Sequence, residues 1–258
     1  MDIVVCVKQS YDVQQLKFDP ATGEPMLAGA PKKMSDMDKR ALEEALKIKE
    51  TAGGKVVAVT AGGGEVKEVV KEIYAMGADE VYAVMDDALK DADTTAIAKV
   101  LAAAIQKVGN YDLVLCGAAS TDGYSWQVPA KIAANLGIPI LPNAVSLKVE
   151  DGKVITESDL GDAVYVYSSD LPAVVSVMLE INEPRIPKLS AILKASRKPF
   201  NQLSLSDLGV DVDAKMEVLS ARMPKVARKN VVFDASDAAK VDEAVSKLVE
   251  ELHKENLI

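Results

Sequence analysis

The sequence predicts an α/β protein built on a mostly parallel, open, helix-covered sheet of the Rossmann-like kind, with a β-hairpin elaboration and a C-terminal arm plus helix. Before residue 140, short β-branched runs alternate with longer segments of helical periodicity, a pattern typical of parallel sheets. The predicted strands are almost wholly apolar, as in residues 2–8 (DIVVCVK), which indicates burial on both faces. Of the 258 residues, 49% are hydrophobic and 27% charged, which is enough for a sizeable core.

Four strand–helix units are predicted in this first part of the chain. Ser35 and Asp38 form an S-x-x-D capping pattern at the start of the first helix, and Asp93 can cap the third. The predicted strands are Asp2–Lys8, Lys55–Thr60, Glu80–Val84 and Leu113–Cys116. The predicted helices run from Ser35 to Gly53, from the Gly62-Gly63-Gly64 run through Met76, from Asp93 to Gly109, and over Ser125–Leu136.

After Pro142 the pattern changes to β-rich segments, which predicts an antiparallel elaboration. Asp151-Gly152 is the signal of a type I′ hairpin turn. The predicted strands of this part are Ala144–Glu150, Lys153–Glu157 and Asp162–Tyr167. Residues 171–179 (LPAVVSVML) are again apolar almost throughout, so we expect them to rejoin the main sheet as an interior strand.

The chain divides into three predicted parts. Residues 1–183 form the α/β domain. Residues 184–235 are polar, contain four prolines and lack core periodicity, which predicts an extended arm lying on another surface. Residues 236–258 form a helix whose apolar positions make one stripe: Val241, Ala244, Val245, Leu248, Val249 and Leu252. Because an isolated helix of this length is marginal in water, we expect it to dock on a partner subunit or back on the domain.

Charge and hydropathy exclude several classes of partner. Thirty Lys and Arg residues against 39 Asp and Glu give a net charge of −9 and a pI near 4.8, which argues against nucleic acid or an anionic membrane as the main partner. No run approaches the ~20 apolar residues of a transmembrane helix. Asp2 also disrupts a secretory signal. We therefore expect a cytoplasmic protein with no transmembrane segment.

The residue types that usually catalyse reactions or bind metals are scarce. Cys6 and Cys116 lie in apolar runs and form no CxxC pair, which predicts reduced core residues and no metal or iron–sulfur site. The single histidine, His253, lies close to the C-terminus, so Ser-His-Asp and Cys-His chemistry lack a central residue. We expect no catalytic residue, and any redox chemistry should belong to a cofactor.

Three loops follow predicted strands at the edge where open parallel sheets bind ligands. They are residues 8–11, 61–64 and 117–127, and the last (GAASTDGYSWQ) is the richest in small and hydroxyl residues. There is no G-x-G-x-x-G after the first strand and no G-x-x-x-x-G-K-[ST] motif, which excludes a standard dinucleotide site and a P-loop. Ser, Thr, Asp and Gly are also ordinary turn residues, so a capped loop without ligand stays open as an alternative.

Two further features have a structural and a functional interpretation. Trp126, on the first turn of the predicted fourth helix, can stack on a ring or cover the core, and we favour the core. A basic cluster surrounds an apolar triplet in the arm, which favours docking on a partner over a solvated charge run. Its members are Lys188, Leu189, Ile192, Leu193, Lys194, Arg197 and Lys198.

Several motifs in order resemble the β subunit of electron transfer flavoproteins, over nearly the whole chain. They are VVCVKQ at 4–9, MSDMDKRALEEALKIKE at 34–50, AMGADE at 75–80, DADTTAIAKVLAAAI at 91–105, YDLVLCG at 111–117, STDG at 120–123, LPAVVSV at 171–177, and INEPR with PKLSAILKASRK up to 198. The resemblance implies a heterodimer with a larger α subunit that holds most of a FAD. Such a heterodimer carries electrons between flavin dehydrogenases, of the acyl-CoA dehydrogenase type, and a downstream acceptor.

The resemblance also implies an adenine nucleotide, AMP or part of a second FAD, in the 1–183 domain. The implied cofactor-binding residues are Cys6, Val7, Lys8, Ser35, Asp38, Ala61, Gly117, Ser120, Thr121, Asp122, Gly123, Tyr124, Ser125, Trp126 and Gln127. Ala118 stands where many members have a basic residue, so the choice between AMP and FAD stays open.

The same resemblance implies a recognition loop that inserts Leu189 into a pocket on the dehydrogenase. The implied partner-docking residues are Arg185, Leu189, Ile192, Leu193, Lys194 and Arg197. Two alternatives stay open. One is a β subunit of an electron-bifurcating complex with its own FAD and an NADH site, and the other is a stand-alone adenine-nucleotide-binding regulatory module.

Overall fold

The computed structural model describes residues 1–224 and 228–258, so residues 225–227 of the predicted arm lie outside the described part. Its strands are β1 (Asp2–Cys6), β2 (Gln9–Tyr11), β3 (Lys32–Met34), β4 (Lys55–Gly62), β5 (Glu80–Met85), β6 (Leu113–Gly117), β7 (Ile140–Glu150), β8 (Lys153–Asp159), β9 (Val164–Asp170), β10 (Ala173–Val177) and β11 (Asn201–Leu203). Its α-helices are α1 (Asp36–Ala52), α2 (Lys67–Met76), α3 (Thr94–Val108), α4 (Val128–Leu136), α5 (Leu189–Ala195), α6 (Leu205–Leu208) and α7 (Val241–Lys254).

The main sheet has nine strands in the order β11-β5-β4-β1-β6-β10-β7-β8-β9. The strands from β11 to β7 pair in parallel, whereas β8 pairs antiparallel with β7 and β9 pairs antiparallel with β8. The prediction of a mostly parallel α/β sheet with a hairpin elaboration is therefore confirmed. The strands β2 and β3 form a separate antiparallel pair.

Helices cover both faces of the parallel part of the sheet. Successive side chains of each strand point to opposite faces, so each strand contributes to two cores. Ile3 and Val5 of β1 face a core with α1 and α2, whereas Val4 and Cys6 face a core with α3 and α4. All of these side chains are buried. This arrangement explains why these strands are apolar almost throughout: helices cover them on both faces of the sheet, as predicted.

The connections confirm several local signals. The Asp93 carboxylate accepts hydrogen bonds from the N–H groups of Thr95 and Ala96 at the start of α3. Asp151 and Gly152 both have positive φ angles, as a type I′ turn requires. The strand β10 lies inside the sheet between β6 and β7, and all five of its residues are buried.

Two helix starts differ from the prediction. The side chain of Ser35 makes no capping hydrogen bond to α1, so the S-x-x-D pattern is not a capping box. The helix α4 starts at Val128 rather than Ser125, because Tyr124 and Trp126 adopt left-handed φ angles of 44° and 60° that interrupt a helix. Trp126 therefore lies in the loop and not on the first helical turn.

Part of the predicted arm belongs to the sheet domain. The strand β11 pairs with β5 at the sheet edge, and its Leu203 packs against the α3 side of the core together with the apolar residues that follow: Leu205, Leu208, Val210 and Val212. Three strand residues are too few to show periodicity, which is why this strand was not predicted. Contacts divide the chain into Met1–Ala221 and Arg222–Ile258, and the division after residues 183 and 235 stays a prediction.

The second unit contains α7. The predicted apolar stripe is present on this helix, and Val241, Val245, Leu248 and Val249 are exposed, whereas Ala244 is buried. Searching the described residues reveals no helix long and apolar enough to cross a membrane.

Candidate functional site

The richest loop cluster lies where the chain changes direction across the sheet. From β1 the chain moves to one side, through β4 and β5, and then returns to β6 on the other side of β1. The carboxyl ends of β1 and β6 therefore border a topological switch point, where open α/β sheets bind ligands. The loop that follows β6, residues 117–127, is called the nucleotide loop below.

Asp38 ties the two strand ends together. Its Oδ2 accepts a hydrogen bond from the backbone N–H of Lys8 at 2.8 Å, and its Oδ1 accepts one from the N–H of Gly117 at 3.0 Å. The side chain is buried, and this burial raises its pKa to about 7 despite the two donors. Asp38 is thus a structural bridge between β1 and β6 rather than a helix cap.

Gly117 is required by this bridge. A Cβ atom at Gly117 would lie 2.5 Å from Asp38 Oδ1 and 2.7 Å from the Cβ of Met37. Real Cβ atoms do not come that close, so any side chain here would separate β6 from the start of α1. The bridge therefore depends on a glycine at this position.

Asp122 holds the nucleotide loop against Lys8 and the strand β2. Its Oδ1 accepts hydrogen bonds from Lys8 Nζ at 2.6 Å and from the N–H of Gly123 at 2.7 Å, and its Oδ2 accepts one from the N–H of Tyr11 at 3.2 Å. Burial acts to raise the pKa of Asp122, but the Lys8 ammonium and the hydrogen bonds outweigh it and lower the pKa below its usual value. The carboxylate is therefore charged and largely occupied by protein donors.

Hydroxyl groups join the nucleotide loop to the start of α1. Ser35 Oγ accepts hydrogen bonds from the N–H of Thr121 at 3.3 Å and from Thr121 Oγ1 at 3.4 Å. Thr121 Oγ1 also lies 3.3 Å from Ser10 Oγ. Ser120 Oγ accepts from the N–H of Gly123 at 3.2 Å and from Lys8 Nζ at 3.4 Å. These contacts hold the first half of the loop in one conformation.

The second half of the loop is more open. Within the described part of the chain, the backbone N–H groups of Ser125, Trp126 and Gln127 have no acceptor. Tyr124 is exposed and contacts Trp126 edge to face, with ring centroids 5.2 Å apart. The Trp126 ring packs on a small cluster that includes Met37 and Ala119, as expected for core packing. Free N–H groups of this kind can bind an anionic group.

A lysine beside the start of α4 adds positive charge. Lys131 Nζ donates hydrogen bonds to Gln127 Oε1 at 2.8 Å, to Thr94 Oγ1 at 2.7 Å and to Thr95 Oγ1 at 2.8 Å. All three acceptors are neutral, so the lysine charge is not cancelled by a carboxylate among the described residues. The loop end therefore lies in a positive local field.

The remaining predicted site residues contribute backbone rather than side chains. Cys6 and Val7 point into opposite cores, and the Val7 N–H donates to the Val59 carbonyl at 2.9 Å. Ala61 lies two residues beyond Val59, the last position at which β4 pairs with β1. A Cβ at Gly62 would lie 2.7 Å from Val66, which confirms a tight strand-to-helix turn.

Both cysteines are free and buried, as predicted. They lie side by side in register on β1 and β6. The neighbouring Cys6 thiol and burial raise the pKa of the Cys116 thiol, so it stays neutral. The described residues contain no group of His, Cys, Asp and Glu able to hold a metal ion.

Sequence reasoning named the 8–11 loop but assigned no role to two of its residues. Ser10 bonds the nucleotide loop through its hydroxyl, and Tyr11 does so through its backbone N–H. Both belong to β2, a three-residue strand whose pairing with β3 carries no periodic signal. Sequence reasoning also assigned Asp122 to a ligand, and this role stays a prediction; the structure adds that its oxygens bond Lys8, Tyr11 and Gly123.

The second candidate surface is the docking segment, residues 185–198, which contains α5. Ile186, Leu189 and Leu193 are 92%, 73% and 62% exposed, and Ile192 is also exposed. Lys194 and Arg197 lie on the same segment with exposed side chains. Arg185 differs, because its guanidinium donates hydrogen bonds to Glu43 and Glu50 on α1.

Comparisons with known proteins give a consistent picture. The electron transfer flavoprotein domain family matches residues 27–208. The electron transfer flavoprotein subunit beta of Thermoanaerobacterium thermosaccharolyticum is 34% identical over the full length of both chains. That of Megasphaera elsdenii is 33% identical over 96% of this chain and 98% of its own. The caffeyl-CoA reductase-Etf complex subunit CarD of Acetobacterium woodii is 37% identical over 83% of this chain and 82% of its own.

The family match covers the start of α1, the nucleotide loop and the whole docking segment, and it begins after residues 6–11 of the candidate site. Members of this family carry electrons in association with flavin, and a β subunit has an α subunit as its partner. The chain therefore belongs to the electron transfer flavoprotein family, among its β subunits.

Proposed function

We propose that this chain forms a heterodimeric electron transfer flavoprotein with a larger α subunit that holds most of a FAD. In this proposal the heterodimer carries electrons from flavin dehydrogenases of the acyl-CoA dehydrogenase type to a downstream acceptor, in the cytoplasm. The 1–183 domain binds an adenine nucleotide at the ends of β1, β4 and β6. The docking segment contacts the dehydrogenase.

The observation that carries the nucleotide site is the geometry of the nucleotide loop. Its first half is fixed by Ser35, Asp38 and Asp122, which leaves the N–H groups of residues 125–127 directed away from any protein acceptor in the described chain. Lys131, which bonds Gln127 at the end of that loop, supplies positive charge, whereas the charge of Lys8 is paired with Asp122. Free N–H groups and cations together suit the phosphate of a nucleotide.

The residues present fit AMP and the ADP part of FAD equally. Asp122 retains one acceptor site on Oδ2 for a ribose hydroxyl, because only the Tyr11 N–H uses that oxygen. The exposed Tyr124 ring offers an apolar surface at the loop tip. A flavin bound here would supply redox chemistry, whereas AMP would fill the site without it.

Nucleotide extraction tests this part of the proposal. The heterodimer is purified, denatured, and the released nucleotides are identified by mass and counted per heterodimer. We expect one adenine nucleotide in addition to the FAD of the α subunit. A heterodimer that releases a single FAD and nothing else contradicts a nucleotide site in this chain.

The exposed apolar stripe of α7 supports the proposal that the C-terminal region packs on the α subunit. Apolar side chains spaced along one helix face favour burial, and this helix leaves four of them exposed within the chain. We expect dissociation of the heterodimer to accompany unfolding, as for obligate interfaces. A stable yellow β subunit, purified without its partner, would contradict this expectation.

A second candidate is an electron-bifurcating complex in which this chain holds its own FAD and an NADH site. The observation that favours it is the 37% identity to CarD, a subunit of a caffeyl-CoA reductase-Etf complex. Two FAD molecules per heterodimer in the extraction experiment would favour this candidate. One FAD and one AMP would favour the simple carrier.

A further inference from the structure

Only a small part of the docking segment's apolar surface packs on the domain. Of the α5 residues, only Ala195 is buried, whereas Leu189, Ile192 and Leu193 are exposed. A helix of seven residues is also far shorter than the ~12–15 residues needed for marginal stability alone. Other contacts must therefore fix its position on the domain.

The first of these contacts lies at the N-terminal end of the segment. Arg185 donates from Nε to Glu43 Oε2 at 2.8 Å and from Nη2 to Glu43 Oε1 at 3.1 Å, so the pair is bidentate. Its Nη1 donates to Glu50 Oε1 at 2.7 Å, and its backbone N–H donates to Glu43 Oε2 at 3.0 Å. The hydrogen bonds to the two carboxylates raise the pKa of Arg185. The Glu43 side chain is only 5% exposed, so water screens this pair weakly.

The second contact lies at the C-terminal end. Lys198 Nζ donates hydrogen bonds to the carbonyls of Ala78 at 3.2 Å and Asp79 at 2.8 Å, just beyond the end of α2. The same ammonium lies 4.2 Å from the centroid of the Tyr74 ring, which belongs to α2. The Tyr74 hydroxyl in turn donates to the carbonyl of Pro199 at 2.8 Å.

The two ends are thus attached to two different helices of the same layer. Between them, Ile186, Leu189, Ile192 and Leu193 present their side chains to solvent. A segment that is already ordered loses less conformational entropy when it binds, which increases affinity. Neither the Arg185 guanidinium nor the Lys198 ammonium is free for a partner, because both are engaged with the domain.

We infer that Arg185 and Lys198 are positioning residues that hold the docking segment in its binding conformation, with Glu43 as the buried acceptor for Arg185. This inference rests on the proposed docking of a dehydrogenase by the segment. It differs from a direct role for Arg185 at the interface, because here the arginine acts through Glu43 and never touches the dehydrogenase.

Steady-state transfer from a reduced acyl-CoA dehydrogenase to the intact heterodimer tests the inference. Arg185→Met removes the guanidinium, Arg185→Lys keeps only the charge, and Glu43→Gln removes the buried charge and one of the two acceptor oxygens. We expect Arg185→Met and Glu43→Gln each to raise the KM for the dehydrogenase about tenfold at nearly unchanged kcat, and Arg185→Lys to fall between them and the native protein. The double variant Arg185→Met with Glu43→Gln should be no worse than either single change.

Hydrogen exchange of the amides in residues 189–196 supplies a second readout, together with melting temperature and nucleotide content. We expect faster exchange in these residues at unchanged nucleotide content. Lys198→Met tests the other end, and Lys55→Met, which removes a surface pair with Glu80 at 2.7 Å, is its matched control. Should Arg185→Met fail to fold, Arg185→Lys and Lys198→Met still decide the question.

The outcomes separate the inference from the docking proposal. A normal KM for Glu43→Gln beside a raised KM for Arg185→Met overturns the inference, because the arginine would then act directly on the dehydrogenase. Normal KM values for Arg185→Met and Lys198→Met beside a raised KM for Leu189→Ala also overturn it and leave docking intact. A normal KM for Leu189→Ala refutes docking by this segment, and the inference with it.

Discussion

In the nucleotide loop and in the docking segment, polar or charged side chains bond the domain, but the two regions leave different groups exposed. In the nucleotide loop, polar side chains such as Thr121 and Asp122 turn inward and leave backbone N–H groups open. In the docking segment, the charged Arg185 and Lys198 turn inward and leave apolar side chains open. In both regions, side chains that resembled ligand or partner contacts also hold the backbone, and different groups are left exposed.

We expect the largest effect on stability and nucleotide content from a substitution at Gly117. Gly117→Ala places a Cβ 2.5 Å from Asp38 Oδ1, which separates β6 from α1. We expect the free energy of unfolding to fall by about 1–3 kcal/mol and the nucleotide to be lost, measured by denaturant unfolding and by nucleotide content after gel filtration. Gly64→Ala, where a Cβ meets nothing within 4 Å, is the matched control and should change neither. Normal nucleotide content in Gly117→Ala would contradict the close contact between β6 and the start of α1.

A smaller effect is expected at Asp122. Asp122→Ala releases Lys8 and the N–H groups of Tyr11 and Gly123, so the loop loses its internal acceptor. We expect nucleotide affinity to fall about tenfold to a hundredfold, for a loss on the order of 1.5–3 kcal/mol. Asp87→Ala, which removes an exposed pair with Lys90, is the control for charge. Equal nucleotide retention in both variants would show that the loop binds nothing.

Leu189→Ala examines the other region. Its side chain is largely exposed, so folding and nucleotide content should not change. Burying a leucine at an interface is worth roughly 1.5–3 kcal/mol, so the KM for reduced acyl-CoA dehydrogenase should rise at least about tenfold. Leu160→Ala, at an exposed leucine between β8 and β9, is the matched control. Equal KM values for the two variants would exclude Leu189 as an anchor.

The smallest effect, counted per pH unit, is a pH dependence of stability that comes from the buried Asp38. The pKa of Asp38 is raised to about 7 by burial, above its unfolded value of about 3.9. The folded protein therefore binds more protons between these values, and the free energy of unfolding falls as pH rises toward 7, by at most about 1.4 kcal/mol per pH unit. Denaturant unfolding from pH 5 to 8 measures this slope.

Asp38→Asn supplies the comparison for that slope. Asparagine cannot titrate, so the difference between the two pH profiles isolates Asp38 from other groups. The variant should be less stable at every pH, because its amide offers one acceptor to the two N–H donors of Lys8 and Gly117. Parallel profiles would mean that Asp38 keeps an ordinary pKa in the folded protein.

Much of the fold followed from local patterns. Continuous apolar runs predicted β1, β6 and β10 as interior strands, and glycines marked the ends of the helices correctly. The capping role of Asp93 and the turn at Asp151-Gly152 were also confirmed. Each of these signals lies within a few residues of the feature it predicts, which is why sequence alone could reveal it.

The candidate site was predicted less completely. Its loops were identified by their position after strands, but the helix-capping pattern predicted for Ser35 and Asp38 was wrong, because these side chains bond the nucleotide loop and the strand ends instead. The start of α4 was placed too early, since the helical pattern continued into residues whose φ angles are left-handed. The predicted division of the chain after residues 183 and 235 stays a prediction. The contacts within the chain divide it after Ala221.

The sequence by itself determined the alternation of strands and helices, the burial of the central strands and the family of the chain, because these depend on periodicity and on the order of motifs. Only the tertiary structure decided which polar groups meet. Asp38 bonds Gly117 across 79 positions, and Arg185 bonds Glu43 across 142. A carboxylate or guanidinium in a sequence does not reveal its partner, because that partner is selected by which helix packs beside which strand end and by the burial that removes water from the pair.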